Sequence, residues 1–385
     1  MKVALVSDWF LPRQGGIELH LRDLALALRA TGVDAQVVTT TQGAREVDGV
    51  PVHRVKAPLF PVSGFAFTPG GLSRLAGLIA SGGFDVVHAH ASVVSPAGYR
   101  GALAAARARL PALITFHSML HRTAMALGAS ETLFGWSRER ILLSAVSSVV
   151  AAQAARWMPD ANVGVLPNGI DTAFWRALPA APPADEFVVV TAMRLSRKKR
   201  PAELLHAFAG AVRFVAGTPP MRLVIAGEGP DRAELRRLAV ELRVADRVSL
   251  PGQLSRDALR ALYAGAHLFV LPSERESFGL AALEARAAGL PVVAMLASGV
   301  RDFIRQGENG LLARDHGELS RFIVRFALDP SFRGYVAHRN ATVAPAFDWA
   351  QVVDAHLQLY GAAAALCGAM PAASHRYPGS ASATK

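Results

Sequence analysis

Cysteine and long apolar runs are nearly absent from this sequence. The only cysteine is Cys367, which excludes an internal disulfide framework and a multi-cysteine metal site. No uninterrupted apolar run reaches about 18 residues, which disfavours a membrane-spanning helix. The first apolar run ends at Asp8 and is too short for a signal peptide, so we expect a buried strand there. Together these features favour a cytoplasmic protein.

Several nucleotide-binding and metal-binding motifs are also missing. No lysine lies in a Gly-x4-Gly-Lys-[Ser/Thr] sequence, which excludes a P-loop NTPase. Gly227-Glu228-Gly229 is followed by Arg232 where a dinucleotide-binding loop has its third glycine, so a dinucleotide oxidoreductase is disfavoured. No Asp-x-Asp pair occurs anywhere in the chain.

The histidines do not form a recognisable metal motif. His88 and His90 alternate along a predicted strand, which places them on one face, and His117 follows another predicted strand. No carboxylate accompanies them in the usual metalloprotease pattern. We therefore predict no metal site and structural roles for His88 and His90. His117 is the exception, because the end of a strand directs its side chain at a ligand-binding cleft.

The net charge is +11, carried by 36 arginines and only 5 lysines. The sequence has no basic tail and no basic stripe with interleaved aromatic residues, so nucleic acid is disfavoured as a partner. Anionic substrates or an anionic membrane surface fit the charge better. A coding bias that favours arginine and alanine is the alternative explanation.

The length of 385 residues predicts two domains, since single cores rarely grow that large. Short apolar segments alternate with Ala/Leu-rich helical segments, which predicts an α/β protein with parallel sheets. The predicted strands are 3–7, 35–39, 52–55, 85–88, 113–116, 147–150 and 163–166, then 187–191, 223–226, 248–250, 268–271 and 292–295. The Pro/Ala-rich segment 178–186 is the predicted boundary. We predict domains at 1–180 and 187–345, a helix at 346–366 that packs back toward the first domain, and a disordered tail at 367–385.

The most informative stretch is PSERESFGLAALEARAAGLPVVA, residues 272–294. A buried strand leads into it, Gly279 permits a tight turn, and the residues that follow are strong helix formers. Glu276 therefore lies at the carboxyl end of a strand, and Glu284 lies about two turns along the next helix. Open α/β sheets hold ligands at this place, and two carboxylates there suit the hydroxyl groups of a sugar and a ribose. The alternative is that Glu276 and Glu284 are solvent-exposed helix residues that bind no ligand.

Two further segments suit a diphosphate. Gly15 and Gly16 lie between a predicted strand and a helix, where backbone amides can approach a phosphate or a sugar. The segment MRLSRKKRP, residues 193–201, places five cations at another strand-to-helix junction, where charge-assisted contacts to a diphosphate are the natural use. The alternative for the two glycines is a tight turn that binds no ligand. The alternative for the five cations is a solvent-exposed run of charges.

Taken together, these motifs resemble a known family. The order Gly-Gly-x-Glu, Thr-Phe-His, Pro-Asn-Gly-Ile-Asp, Arg-x4-Lys, Gly-Glu-Gly-Pro and Glu-x7-Glu is similar to the retaining GT-B glycosyltransferases of family 4. The resemblance spans about residues 1–360, and Arg194/Lys199 and Glu276/Glu284 are its most specific elements. One departure is Arg200, where the family commonly has glycine. The segment SDWFLPRQGGIELH, residues 7–20, and the His-Ala-His stretch, residues 88–90, look most like enzymes that glycosylate inositol phosphates or inositol phospholipids.

The resemblance implies two Rossmann-like domains facing a cleft and a metal-independent, retaining transfer of a hexose or N-acetylhexosamine, with no cofactor besides the nucleoside-diphosphate sugar. The acceptor would be of lipid, inositol or glycan type, as in cell-envelope glycan biosynthesis. Arg194 and Lys199 would stabilise the leaving diphosphate, and His117 would contact the transferred sugar. Glu276 would bind the sugar hydroxyls and Glu284 the ribose. The remaining donor-binding residues would be Gly15, Gly16, Ser277, Phe278 and Gly279.

Other readings stay open. A nucleotide-sugar epimerase of the same fold would need no acceptor, and a non-catalytic nucleotide- or glycan-binding protein would show no turnover. A nucleic-acid-binding protein has only the charge in its favour. The loops 58–69 and 118–131 carry apolar residues that either pack under the loops or dock on an anionic membrane, which would place the enzyme on the inner face of the plasma membrane.

Overall fold

The computed structural model describes residues 1–13, 15–56, 68–120, 139–158, 161–176, 178, 182–216 and 219–368. Over these residues the chain forms two largely parallel sheets, with helices between successive strands. Four strands are buried along their whole length, as expected when both faces of a parallel sheet are covered: Val86–Ala91, Ala112–Phe116, Leu268–Leu271 and Val292–Met295.

The first sheet is built from the N-terminal strands. They are β1 (Lys2–Ser7), β2 (Asp34–Thr39), β3 (Glu46–Val47), β4 (Val50–Arg54), β5 (Val86–Ala91), β6 (Ala112–Phe116), β7 (Ile141–Ala145) and β8 (Val163–Val165). Their order is β3-β4-β2-β1-β5-β6-β7-β8. β1 pairs in parallel with both β2 and β5, and the short pair β3–β4 is antiparallel.

The second sheet contains β9 (Phe187–Ala192), β10 (Met221–Ala226), β11 (Val248–Gly252), β12 (Leu268–Leu271), β13 (Val292–Met295) and β14 (Gly310–Ala313). Its order is β11-β10-β9-β12-β13-β14, and the strand pairs are parallel. From β9 the chain first builds outward through β10 and β11, and then returns to place β12 on the other side of β9. The sheet therefore has a topological switch point between β9 and β12.

The helices fill the intervals between strands. They are Gly16–Ala30, Pro69–Ser81, Pro96–Arg107, Ser148–Trp157, Thr172–Arg176, Pro201–Val215, Arg232–Glu241, Arg256–Ala264, Leu280–Ala287, His316–Leu328, Pro330–Thr342 and Trp349–Leu366, with short 3₁₀ turns at Arg197–Lys199, Ala245–Arg247 and Gly299–Asp302. Proline occupies the first position of several helices, where its missing amide hydrogen costs no hydrogen bond. In the part of the chain that is described, no helix is both long and apolar enough to cross a membrane.

By packing, the chain separates into two compact units. The first comprises the described residues of Met1–Thr115, Gly128–Leu143 and Val353–Lys385, and the second those of Phe116–Leu127 and Ser144–Val352. The chain passes from the first sheet to the second between β8 and β9, and segment 178–186 lies in this interval of the sequence. The limits of the two compact units lie at other positions. The predicted domain limits therefore stay a prediction.

The end of the long C-terminal helix belongs to the first unit. Its Tyr360 is buried, and the phenolic oxygen lies 3.0 Å from Nδ1 of His88 on β5. Nε2 of His88 lies 2.7 Å from the hydroxyl of Thr115 on β6. His88 and His90 project from the same face of β5, as predicted, with ring centroids 4.0 Å apart.

One predicted strand is wrong. Residues 147–150 do not form a strand: the strand is β7, and the helix Ser148–Trp157 begins at Ser148. The hydroxyl of Ser147 accepts a hydrogen bond from the amide of Val150 at 3.3 Å, which caps that helix. Two apolar runs flank Ser147 and Ser148, and the second run is helical because serine at this position favours a helix start. β14 was not predicted. The loops considered for membrane docking, 58–69 and 118–131, lie mostly outside the described residues, as does the tail beyond residue 368.

Candidate functional site

The candidate site lies in the second unit, at the carboxyl ends of β9 and β12. These strands are neighbours, with Leu268 opposite Val189 and Phe269 opposite Val190. The segment with the basic cluster follows β9, and the segment that begins with Pro272 follows β12. Neighbouring parallel strands end at the same edge of a sheet. The segment with the basic cluster and the segment that begins with Pro272 therefore lie together at the topological switch point.

Lys199 and Glu276 form an ion pair at this edge. The Lys199 ammonium donates a hydrogen bond to Oε2 of Glu276 at 2.5 Å. The side chains are 28% and 14% exposed, respectively, so the pair is only partly screened by water. Lys199 ends the 3₁₀ turn Arg197–Lys199, in which its amide donates to the carbonyl of Ser196 at 2.8 Å. The sequence predicted both residues at the site, but not their contact.

Lys198 is the second ammonium group of this cluster. Although much of the residue is exposed, partial desolvation of the ammonium group lowers the pKa of Lys198, and the neighbouring Lys199 lowers it further. Glu276 acts in the opposite direction on the same pKa. The cluster therefore holds more positive charge than Glu276 neutralises, which favours the approach of an anion.

The backbone that carries Arg194 is held against a glycine turn. The amides of Met193 and Leu195 donate to the carbonyls of Ala226 and Glu228, at 3.0 and 2.9 Å. A Cβ atom at Gly227 would lie 1.9 Å from the carbonyl oxygen of Met193, and one at Gly229 would lie 2.1 Å from that of Leu195. Only glycine permits this approach.

Arg194 itself is exposed at the end of this braced segment. From the sequence, Gly227-Glu228-Gly229 was assigned only as an incomplete dinucleotide-binding motif and as part of the family's motif order. The signal for its role was the Gly-x-Gly spacing directly after a strand, which is typical of a close backbone approach.

The turn from Glu276 to Gly279 is braced by the 3₁₀ turn Gly299–Asp302. The amide of Gly299 donates to the carbonyl of Glu276 at 2.8 Å, and a Cβ atom at Gly299 would lie 2.0 Å from the carbonyl oxygen of Ser277. Gly279 has φ of 93°, in the left-handed region, as its predicted turn requires. Gly299 was not among the predicted site residues.

Phe278 anchors this turn from inside. It is 2% exposed, and its ring lies 5.5 Å from that of Phe303 and 5.7 Å from that of Phe347. Ser277 beside it is half-buried. The aromatic cluster therefore holds the backbone after Glu276 in place, and the side chain of Phe278 is directed into the core.

Glu284 lies on the helix Leu280–Ala287 and is half-buried. The phenol of Tyr263 is fully buried, and its pKa is raised first by burial and then by the negative charge of Glu284. Glu284 thus faces a low-dielectric side of the unit. A carboxylate in such surroundings gains from a hydroxyl donor.

Gly15 and Gly16 belong to the first unit, whereas the residues described above belong to the second. Gly15 is extended, with φ of −167°, and precedes the helix Gly16–Ala30. The buried carboxylate of Glu18 folds back toward it, so that a Cβ atom at Gly15 would lie 2.4 Å from Oε2 of Glu18. Arg13 pairs with the same carboxylate at 3.2 Å. A negative charge therefore already occupies the start of this helix.

His117 follows β6 directly and is 8% exposed. It belongs to the second unit, as do Arg194, Lys199, Ser277, Gly279 and Glu284. Of the predicted site residues, Lys199 and Glu276 are in direct contact. The functional roles of all of them stay predictions.

Comparisons with known proteins identify the class. The family model described as Glycosyltransferase Family 4 matches residues 14–174, and that described as Glycosyl transferases group 1 matches residues 179–340. A D-inositol 3-phosphate glycosyltransferase of Acidothermus cellulolyticus is 31% identical over 394 aligned residues, which cover 90% of this chain and 85% of that protein.

Solved structures agree on the fold. Anabaena Alr3699/HepE in complex with UDP superposes with a TM-score of 0.76 at 23% identity, covering 94% of this chain and all of that one. Its complex with UDP-glucose gives a TM-score of 0.74 at 22% identity, with the same coverage. The two Rossmann-like sheets thus have the GT-B fold, and the expected fold class is confirmed.

The chain belongs to glycosyltransferase family 4, the glycosyl transferases group 1. The resemblance drawn from the sequence motifs is therefore confirmed, and the protein is a glycosyltransferase.

Proposed function

We propose that this enzyme transfers a hexose or N-acetylhexosamine from a nucleoside-diphosphate sugar to an inositol-, lipid- or glycan-type acceptor, with retention of configuration and without a metal ion. The observation that carries the proposal is the Lys199–Glu276 pair at the switch point between β9 and β12. It joins a cation suited to a diphosphate with a carboxylate suited to sugar hydroxyls.

The cations act on the leaving group. When the bond between the anomeric carbon and the β-phosphate oxygen breaks, negative charge grows on the diphosphate. Lys199 and Arg194 stabilise that charge. Each preorganised contact of this kind contributes about 3 kcal/mol, or roughly a hundredfold in rate.

Before the donor arrives, Glu276 neutralises Lys199. Binding of the diphosphate draws the ammonium group toward the phosphate oxygens, and the Glu276 carboxylate then accepts hydrogen bonds from the hydroxyls of the donor sugar. Glu284 accepts hydrogen bonds from the ribose hydroxyls. His117 contacts the transferred sugar near its anomeric carbon and does not act as a nucleophile.

The acceptor hydroxyl attacks the anomeric carbon from the face that the leaving group vacates. A new C–O bond forms while the bond to the β-phosphate oxygen breaks. The hydroxyl proton passes to that phosphate oxygen, so the products are the glycoside and the nucleoside diphosphate. A glycosidase instead needs two carboxylates flanking the scissile bond, whereas Glu276 and Glu284 suit hydroxyl recognition.

The relatives suggest which substrates to test first. UDP-glucose is the first donor, because HepE is known in complex with UDP-glucose. D-inositol 3-phosphate is the first acceptor, because the Acidothermus cellulolyticus relative bears that name. The net charge of +11 suits a phosphorylated acceptor, and it also suits peripheral contact with anionic lipid on the cytoplasmic side.

The experiment is a donor-consumption assay followed by NMR. Purified enzyme is incubated with UDP-glucose and EDTA, with and without D-inositol 3-phosphate, and then with other donor and acceptor pairs. We expect acceptor-dependent release of UDP, unchanged by EDTA, and an α-glycosidic product. Loss of turnover in EDTA that returns with added Mg²⁺ contradicts the metal-free mechanism, and a β-linked product contradicts retention.

The same assay separates the other readings. Interconversion of the donor sugar without acceptor identifies an epimerase. Tight nucleotide binding with no turnover across the panel identifies a non-catalytic binding protein.

A further inference from the structure

Arg200 has an unusual backbone conformation. With φ of 60° and ψ of 40° it lies in the left-handed region, between the 3₁₀ turn Arg197–Lys199 and the helix Pro201–Val215. Residues with a side chain rarely adopt this conformation, and Pro201 also disfavours the right-handed alternative. Glycine is the residue that this conformation favours, so the contacts of the Arg200 side chain must explain why an arginine is found there.

The guanidinium of Arg200 has two carboxylate partners. Nη1 lies 2.6 Å from Oε1 of Glu203, three residues along the same chain segment. Nη2 lies 3.6 Å from Oε2 of Glu274, in the segment that follows β12. The second contact therefore links two segments that are distant in sequence.

That contact is one of three links between the same two segments. The Ser273 hydroxyl donates to the carbonyl of Lys198 at 3.3 Å, Arg200 pairs with Glu274, and Lys199 pairs with Glu276. The segment after β9 is thus joined to the segment after β12 through three consecutive residues. Lys199, the middle residue, is held between two flanking contacts.

We propose that Arg200 is a positioning residue, whose ion pair with Glu274 restrains the segment that carries Lys199 and so keeps the Lys199 ammonium group at the diphosphate site, beside Glu276. The inference rests on the proposed function only for the last step, the contact of Lys199 with a diphosphate. Its geometric part, that Arg200 restrains Lys199, is testable without any ligand.

The ligand-free test measures the reactivity of the Lys199 amine. Trace acetylation of the folded protein is quantified by peptide mass spectrometry, with Lys2 in the first unit as internal reference. The variants are Arg200→Gly, which keeps the left-handed backbone and removes the guanidinium, and Glu274→Gln. The matched control is Arg243→Gly, because Arg243 has the same φ of 60°, lies in the second unit and is exposed.

We expect Lys199 to be acetylated at least about threefold faster, relative to Lys2, in Arg200→Gly and in Glu274→Gln. The double variant should be no faster than either single variant, since both changes remove the same contact. Arg243→Gly should react like the wild type. An unchanged Lys199 rate in Arg200→Gly overturns the proposal, and so does an equal increase in Arg243→Gly.

A second test follows the function, with UDP as the probe in calorimetric titrations. Arg200→Gly should weaken UDP binding about tenfold, because a displaced cation loses most of a charge-assisted contact. Arg200→Lys keeps a cation opposite Glu274 and should bind within about threefold of wild type. A purely structural role predicts no such rescue, and equal weakening in both variants overturns the proposal.

The two tests also separate the two proposals. If Lys199→Ala binds UDP as tightly as the wild type, the diphosphate role of Lys199 fails, while the labelling result still decides whether Arg200 restrains Lys199. If Lys199→Ala weakens UDP binding and Arg200→Gly does not, only the positioning role fails.

Discussion

The carboxylate of Glu276 lies 2.5 Å from the ammonium nitrogen of Lys199, although 77 residues separate them in the chain. The contact exists because β9 and β12 are neighbours that end at the same edge of the second sheet.

Removal of either partner should abolish most of the activity without unfolding the protein. Lys199→Ala and Glu276→Ala should each lower the rate of acceptor-dependent nucleotide release by at least about tenfold. The stability cost should stay near 1 kcal/mol, because the pair is partly exposed. Initial rates and urea unfolding test this, and a near-normal rate in either variant removes that residue from the mechanism.

Glu276→Gln should separate binding from turnover. If Lys199 binds the diphosphate as proposed, the Glu276 carboxylate of the wild type competes with it for Lys199, and the amide of Glu276→Gln does not. UDP should therefore bind several-fold more tightly to Glu276→Gln, by roughly 1 kcal/mol, while turnover of the UDP sugar falls. Calorimetry and initial rates give the two quantities. Weaker UDP binding would mean that Glu276 orients Lys199 more than it competes with the ligand.

Gly229→Ala should damage both the fold and the site. The new Cβ atom would lie 2.1 Å from the carbonyl oxygen of Leu195, which is backbone and cannot rotate away. We expect a loss of about 2 kcal/mol in the free energy of unfolding, with weaker UDP binding as the Arg194 segment shifts.

Gly334→Ala is the matched control for that change. Gly334 is exposed in the helix Pro330–Thr342, with open space around the position of the new atom. This variant should gain roughly 0.5 kcal/mol. Equal stability of the two variants would contradict the close approach at Gly229.

Asp8 should make the first unit less stable as the pH rises from about 4 to about 6. Its carboxyl is fully buried and accepts hydrogen bonds from the amides of Ala97 and Gly98 at 3.0 and 3.3 Å. Burial raises the pKa of Asp8 from 3.8 to about 6, against the opposing effect of those hydrogen bonds.

The unfolded chain therefore releases this proton at a lower pH than the folded chain does. The contribution of Asp8 to the free energy of unfolding should fall by about 3 kcal/mol across this pH range and stay constant above it. Asp8→Asn lacks the ionisation, so the stability of the wild type relative to Asp8→Asn should decline over the same range. Urea unfolding at pH 4 and pH 7 measures this, and parallel pH profiles would contradict it.

Much of the second sheet could be predicted from the sequence. Strands β12 and β13 have the predicted limits, and the helix Leu280–Ala287 forms directly after Gly279, as predicted. These elements are short apolar runs bounded by glycine or proline, so local propensity and tertiary packing agree. Where two apolar runs flank Ser147 and Ser148, the pattern was ambiguous, and the wrong run was assigned to the strand.

The contacts within the site were not predictable in the same way. The two segments were each assigned to a strand end, but the Lys199–Glu276 contact depends on strand order, which periodicity does not reveal. The ion pair of Arg200 with Glu274, 74 positions away in the sequence, depends on strand order in the same way. The close approach of Gly229 to Leu195 requires the positions of two backbones, and a turn motif specifies only one of them.

The most direct test of the account is a thermal-shift titration of the purified protein with UDP, GDP, ADP and their common sugar conjugates, without metal. The account predicts a clear rise in Tm with one nucleotide, and loss of that rise in Lys199→Ala. No rise with any nucleotide, or a rise that Lys199→Ala retains in full, would contradict the assignment of the Lys199–Glu276 pair to the donor diphosphate.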